Sequence, residues 1–126
     1  MDENAISKVI VDAAIDVHRT LGGPGLIENV YEEALCCELL TRGLTVQRQK
    51  IVPIVFKGHQ LASPLRLDIL VNDLVIVEVK AVSTYNSIFE TQALTYLRLT
   101  GLKLALVINF GERLVGSAIH RVVNGL

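Results

Sequence analysis

Two periods of apolar residues follow one another along the chain. From Asn4 to Leu21, Ile6, Val9, Ile10, Ala13, Ala14 and Val17 recur every three or four positions, the spacing of one helical face. Gly22-Gly23-Pro24-Gly25 ends that run, because Gly suits a helix C-terminal cap and Pro cannot continue the helix. The spacing predicts a second helix from Leu26 to Arg42, with Ile27, Val30, Tyr31, Ala34 and Leu35 as its stripe and Gly43 as its stop. The period then shortens to that of strands. Thr45 to Gln49 and Ile51 to Phe56 read as two strands, with Pro53 marking an edge or a break, and Lys57-Gly58-His59 reads as a turn. Leu65 to Val71 and Val75 to Val82 read as a hairpin. Ser87-Ile88-Phe89-Glu90 has the spacing of a capping box, so a helix is expected from Ser87 to Thr100, with Gly101 after its end. Leu104 to Asn109 is continuously apolar, as in a strand covered on both faces. Ala118 to Val123 completes the set. The order α-α-β-β-β-β-α-β-β predicts a single α/β (α+β) domain over residues 1–126, a mixed central sheet flanked by helices.

Composition narrows the classes. At 51% apolar and 20% charged, the chain can build an ordinary core. No apolar run approaches the roughly 20 residues of a membrane span, and the polar opening MDENAISK is not expected to be a secretory signal. Cys36 and Cys37 are adjacent on a predicted helix, where their side chains diverge. They are expected to be free, buried thiols of a protein in a reducing cytoplasm. No Cys and His spacing suggests zinc.

The net charge of −1 conceals blocks. Residues 1–38 hold eight acids against two Lys/Arg, residues 39–67 hold five Lys/Arg and no acid, and acid returns with Asp68, Asp73, Glu78 and Glu90. Such blocks suit a basic rim around an acidic centre or a mixed soluble surface. They do not describe a globally basic nucleic-acid binder.

The candidate chemistry lies in the hairpin LRLDILVNDLVIVEVKAV. Asp68, Glu78 and Lys80 interrupt its aliphatic run, and ionised groups are costly to bury unless they are paired or bind a metal. Glu78 and Lys80 are two apart and share a strand face. A two-residue loop, Asn72-Asp73, would set Asp68 against Val77 and send its carboxylate away. A three-residue loop, Asn72-Asp73-Leu74, would set Asp68 against Glu78, and this second register is the expected one. Two carboxylates on one face are tolerable if they share a hard cation such as Mg²⁺ or Mn²⁺, and a lysine beside them can activate a water or stabilise charge on a phosphate. The same three residues would also suit an ion pair on a solvated face. Gln92 and Tyr96, at i and i+4 on the following helix, share one face and could hold the lysine or a phosphate oxygen; read plainly, they are a helix-surface residue and a core aromatic. His18 is expected to pack or cap its helix, and His59 and His120 to lie on the surface.

This arrangement resembles the PD-(D/E)XK nuclease superfamily, in which an Asp ends one strand, E-x-K lies on the next and a helix follows. The Q-x-x-x-Y of Gln92 to Tyr96 is similar to the extra motif of the RecB-like branch. More of the chain resembles the GxxExxY protein family: Val17 to Gly22, then Gly25 to Leu35 with Gly25, Glu28 and Tyr31 in the eponymous places, then Val77 to Val82 and Val107 to Gly111. Two departures touch no proposed ligand, an extra Gly in LGGPG and Leu65 where an aromatic is frequent. The resemblance implies a restriction-endonuclease-like core. Asp68, Glu78 and the helical Glu28 would be metal ligands, Lys80 the catalytic lysine, and Gln92 and Tyr96 its support. It implies a Mg²⁺-dependent (or Mn²⁺-dependent) nuclease acting on nucleic acid, DNA foremost, with Arg66, Lys50 or Arg98 as phosphate contacts. The alternative is a non-catalytic nucleic-acid- or protein-binding module on the same fold, for which a homodimer would supply further surface.

Overall fold

The computed structural model describes residues 1–126. Its first helix, α1 (Glu3–Thr20), starts where the Asp2 carboxylate accepts a hydrogen bond from the Ala5 N–H and buries the predicted stripe. α2 (Glu28–Thr41) follows the glycine-rich loop. Five strands form the sheet: β1 (Val46–Val52), β4 (Leu65–Val71), β5 (Val75–Lys80), β6 (Leu104–Asn109) and β7 (Ile119–Val123), in the order β1-β4-β5-β6-β7. Between β1 and β4 lies a two-stranded ribbon of β2 (Val55–Phe56) and β3 (His59–Gln60). α3 (Ile88–Thr100) carries the chain from β5 to its parallel neighbour β6, and every other pairing is antiparallel. The result is the expected mixed sheet flanked by helices, and it has five strands.

Each face of the sheet has its own core. α1 and α2 pack on one through residues such as Ile6, Tyr31, Val77, Leu106 and Phe110. α3 packs on the other through Ala93 and Leu97 against Leu67, Ile76 and Val107. β6 is buried throughout, as its unbroken apolar run predicts. The hairpin adopts the three-residue loop: Val71 pairs with Val75, and Leu74 N–H donates to Val71 C=O across Asn72 and Asp73, both at positive φ. Asn and Asp tolerate that conformation better than most residues.

Four expectations need correction. Thr45 to Phe56 holds two strands, β1 and β2, but they divide at Pro53 and not at Lys50. β1 runs unbroken to Val52, and Pro53, lacking an N–H, ends it. Ser87 does not cap α3 through its side chain, because it already has helical φ and ψ; the Asn86 carboxamide accepts the Ile88 N–H instead. Cys37 is exposed, and only Cys36 is a buried thiol. His120 is half-buried and stacks on Tyr85, with ring centroids 4.0 Å apart.

One distortion organises the middle of the sheet. Leu65 and Leu67 pack into the α3 core, whereas Ile69 and Val71 pack into the α1/α2 core. Residues two apart on a regular strand share a face, so β4 turns over at Asp68. β1 turns over with it, since Val46 packs towards α1/α2 and Val52 towards α3. The reversal in β1 falls on Gln49, at φ 54°, bracketed by the pairs Arg48–Ile69 and Lys50–Leu67. Gln49 and Asp68 therefore stand opposite each other where both strands reverse.

Candidate active site

The β4–β5 pairing stops at Ile69–Val77, one step short of the acids. There the side chains take over the cross-strand bonds. Asp68 N–H donates to Glu78 Oε2 at 2.9 Å, and Val79 N–H donates to Asp68 Oδ2 at 2.8 Å. The predicted convergence of Asp68 and Glu78 is thus present, with each carboxylate held by the opposite strand. A side-chain hydrogen bond from Gln49 also favours the Asp68 carboxylate, and no buried side-chain polar atom of the chain lacks a partner.

The acids are poorly compensated. Burial, then the neighbouring Asp68 charge, pushes the Glu78 carboxyl up to about 8. Burial also raises Asp68, against the Val79 hydrogen bond that lowers it. Glu28, at the first position of α2, is raised by burial and by Asp68. The Lys80 charge favours ionisation of all three. The Tyr96 hydroxyl is raised by burial and then by the charges of Glu78 and Asp68. Residues from α2, the sheet and α3 therefore share one electrostatic neighbourhood.

Lys80 is half-buried and makes no ion pair with Asp68 or Glu78. Its Nζ lies 4.6 Å from the centroid of the Phe89 ring, a cation–π contact that orients the amine without neutralising it. Gln92 is exposed one turn before Tyr96, and its carboxamide makes no hydrogen bond within the chain. Lys50, Arg66 and Arg98 are exposed.

Three supporting residues escaped the sequence reading. Glu32, 2% exposed, receives hydrogen bonds from Arg48 Nε and from Gln49 Nε2, the latter at 2.8 Å. Its charge also raises Asp68. Gln49 thus links a buried acid to the point where the strands reverse. The only available signal was the i, i+4 spacing of Glu28 and Glu32, which equally describes a solvated helix face. Asn109, at the end of β6, is fully buried and clasps the segment after Lys80: its carboxamide oxygen accepts from Val82 N–H and Gly111 N–H, and its nitrogen donates to Val82 C=O and Glu112. His18, expected to pack or cap, is buried with Nε2 3.1 Å from the Phe110 carbonyl oxygen.

No three Asp, Glu, His or Cys side chains converge tightly enough to surround a metal ion. Two adjoining carboxylates nevertheless fit a hard cation that keeps several waters. Asp68 and Glu78 line neither cavity of the molecule, one of about 610 Å³ at the C-terminal end of α1 and one of about 360 Å³ between α1 and α2.

The order of elements and the acids in the β4–β5 gap agree with a match between residues 4–122 and the family model of the PD-(D/E)XK nuclease superfamily. The chain belongs to the PD-(D/E)XK nuclease superfamily. No curated protein and no solved structure matches it. Nucleases of the PD-(D/E)XK superfamily usually use divalent metals, in keeping with the carboxylate-rich gap. No helix of this PD-(D/E)XK domain is long and apolar enough to cross a membrane.

Proposed function

We propose that this chain is a Mg²⁺- or Mn²⁺-dependent nuclease that hydrolyses phosphodiester bonds of nucleic acid, DNA foremost. The reading rests on one observation: Asp68 and Glu78 meet in one gap beside a lysine that neither of them neutralises. Asp68 and Glu78, with Glu28 from α2, would hold the cation. When bound, it supplies positive charge that lowers the pKa of water and offsets charge developing on the phosphate.

The chain's own residues do the rest. Burial pushes the Glu78 carboxyl up to about 8, so near neutral pH it would release its proton to solvent as it takes up the cation. The Lys80 ammonium, steadied by Phe89, donates to a non-bridging phosphate oxygen and offsets the charge that develops there. The Tyr96 hydroxyl and the Gln92 carboxamide, on one face of α3, orient that oxygen from above the sheet. Gly25 at φ 118°, Glu28 and Tyr31 support a narrower placement in the GxxExxY family. Tyr31 Oη donates to Gly23 C=O at 2.6 Å and accepts from Leu26 N–H, closing the loop that presents Glu28.

The test is cleavage of labelled single-stranded, duplex and branched DNA, and of RNA, with Mg²⁺ or Mn²⁺. Activity is expected in the natural chain and absent in Asp68→Ala and Glu78→Ala. Cleavage that survives both substitutions overturns the mechanism.

A second reading, a binding module without turnover, is favoured by the absence of a tight three-ligand cluster and by the structural use of one oxygen of each acid. Calorimetry separates the two readings. Mn²⁺ binding that disappears in Asp68→Asn supports the nuclease; nucleic-acid binding with no Mn²⁺ site supports the module.

A further inference from the structure

The cavity of about 610 Å³ is separate from the acidic gap, yet both lie at the same edge of the sheet. β5 and β6 are parallel and end together at Lys80 and Asn109. In open α/β sheets, ligands bind beyond the carboxyl ends of such strands. The cavity forms where the C-terminal end of α1 meets the loop after β6, and two arginines line it, Arg19 from α1 and Arg113 from the loop.

Both walls are tied to the strand end that carries Lys80. On one side, Phe110 N–H donates to Lys80 C=O, and the Phe110 carbonyl meets His18, the residue before Arg19. On the other, the Asn109 clasp joins Val82 to Gly111, two residues before Arg113. Gly111 has no alternative there, because a Cβ would stand 2.3 Å from the Val82 carbonyl oxygen. The cavity therefore has a fixed place relative to the acids.

Its charge is one-sided. No acid lines it, and neither arginine makes an ion pair or a side-chain hydrogen bond, whereas Arg42, Arg48 and Arg121 are all engaged. An unengaged pair of guanidinium groups suits phosphate oxygens. Ile15 and Leu114 add apolar wall for a sugar or base.

We infer that this cavity binds a nucleotide of the nucleic-acid strand away from the cleaved bond, its phosphodiester held by Arg19 and Arg113. The inference rests on the nuclease reading for its choice of ligand. It identifies a second contact region, on the α1 side of the sheet, which gives a near-neutral chain a local hold on a polyanion.

The experiment measures binding without turnover. Fluorescence anisotropy in EDTA, with labelled single-stranded and duplex oligonucleotides over a range of salt, is compared for the natural chain and Arg19→Ala/Arg113→Ala. The double variant is expected to bind more weakly, and its slope of log K against log salt to fall by roughly 1 to 2, the value of one or two phosphate contacts. Its thermal stability should be unchanged, because neither side chain has a partner. In parallel, oligonucleotide and inorganic phosphate are titrated while the amide resonances of Gly22, Gly23 and Gly116 are followed. Shifts with oligonucleotide that vanish in the double variant support the inference. An unchanged slope, no oligonucleotide binding by the natural chain, or occupancy by inorganic phosphate alone overturns it. Arginine-dependent binding without Mn²⁺-dependent cleavage leaves this inference standing and removes the nuclease reading; cleavage indifferent to the arginines does the reverse.

Discussion

Replacing Glu78 by Gln isolates the electrostatic cost of the acidic gap. The side chain is buried, and its carboxyl is pushed from 4.5 up to about 8 by burial and by Asp68. Since the folded value lies above the unfolded one, the stabilising contribution of this carboxyl is complete below pH 4.5 and is lost as pH rises through 8. Across that window this one group costs about 1.4 kcal/mol per pH unit. The penalty reaches about 3 kcal/mol at pH 7 and about 5 kcal/mol above pH 8. Gln does not titrate, keeps the shape, and its carbonyl oxygen can still accept the Asp68 N–H. Metal-free Glu78→Gln should therefore match the natural chain near pH 4.5 and exceed it at pH 7, by roughly 10 °C in Tm. Urea unfolding in EDTA from pH 5 to 9 measures the difference directly. Parallel stability curves for the two proteins would refute the reasoning. Added Mn²⁺ should stabilise the natural chain and have little effect on the variant.

Other side chains give independent checks. Asn109→Ala removes four hydrogen bonds at a fully buried site and strands the Val82 and Gly111 amides; a loss of about 2–4 kcal/mol is expected in urea unfolding, and a loss under about 0.5 would discount the clasp. Glu32→Gln weakens the charged contacts with Arg48 and Gln49 by about 2 kcal/mol. It should also lower the Asp68 pKa, because the Glu32 charge raises it; carboxyl-carbon NMR would show an unmoved Asp68 if the two do not interact. Thiol labelling of the native protein should modify the exposed Cys37 promptly and spare Cys36, whose buried thiol is pushed up to about 11. Equal labelling rates would contradict that placement.

Much of this was legible in the residues. The ten-residue separation of Asp68 and Glu78 permits convergence with a three-residue loop, and Asn72-Asp73 supplies residues that tolerate its positive φ. The helical periods and the apolar run of β6 specify the layers because burial enforces them. What stayed hidden depends on tertiary contact. Glu32 sits in an acid-rich helix and reads as solvated until Arg48 and Gln49 arrive from β1. Nothing about Gln49 announces a left-handed backbone in mid-strand. Ser87 and Glu90 reproduce a capping pattern, but Asn86 is one residue earlier and offers the better acceptor. The clasp of Asn109 needs the partner segment after β5, which the chain reaches only through a helix.

The paired reversal at Gln49 and Asp68 also limits how the chain can vary in length. Both strands change face at the same rung, so one residue inserted before or after it in either strand would put the two reversals out of step. Apolar side chains would then meet solvent on one side of the break and polar ones would enter a core on the other. The segment from Pro53 to Pro64 connects these strands outside the five-stranded sheet and is largely exposed. Insertions and deletions between β1 and β4 should accordingly be accepted in that segment, while each strand must keep its residue count for the reversals to remain opposite each other.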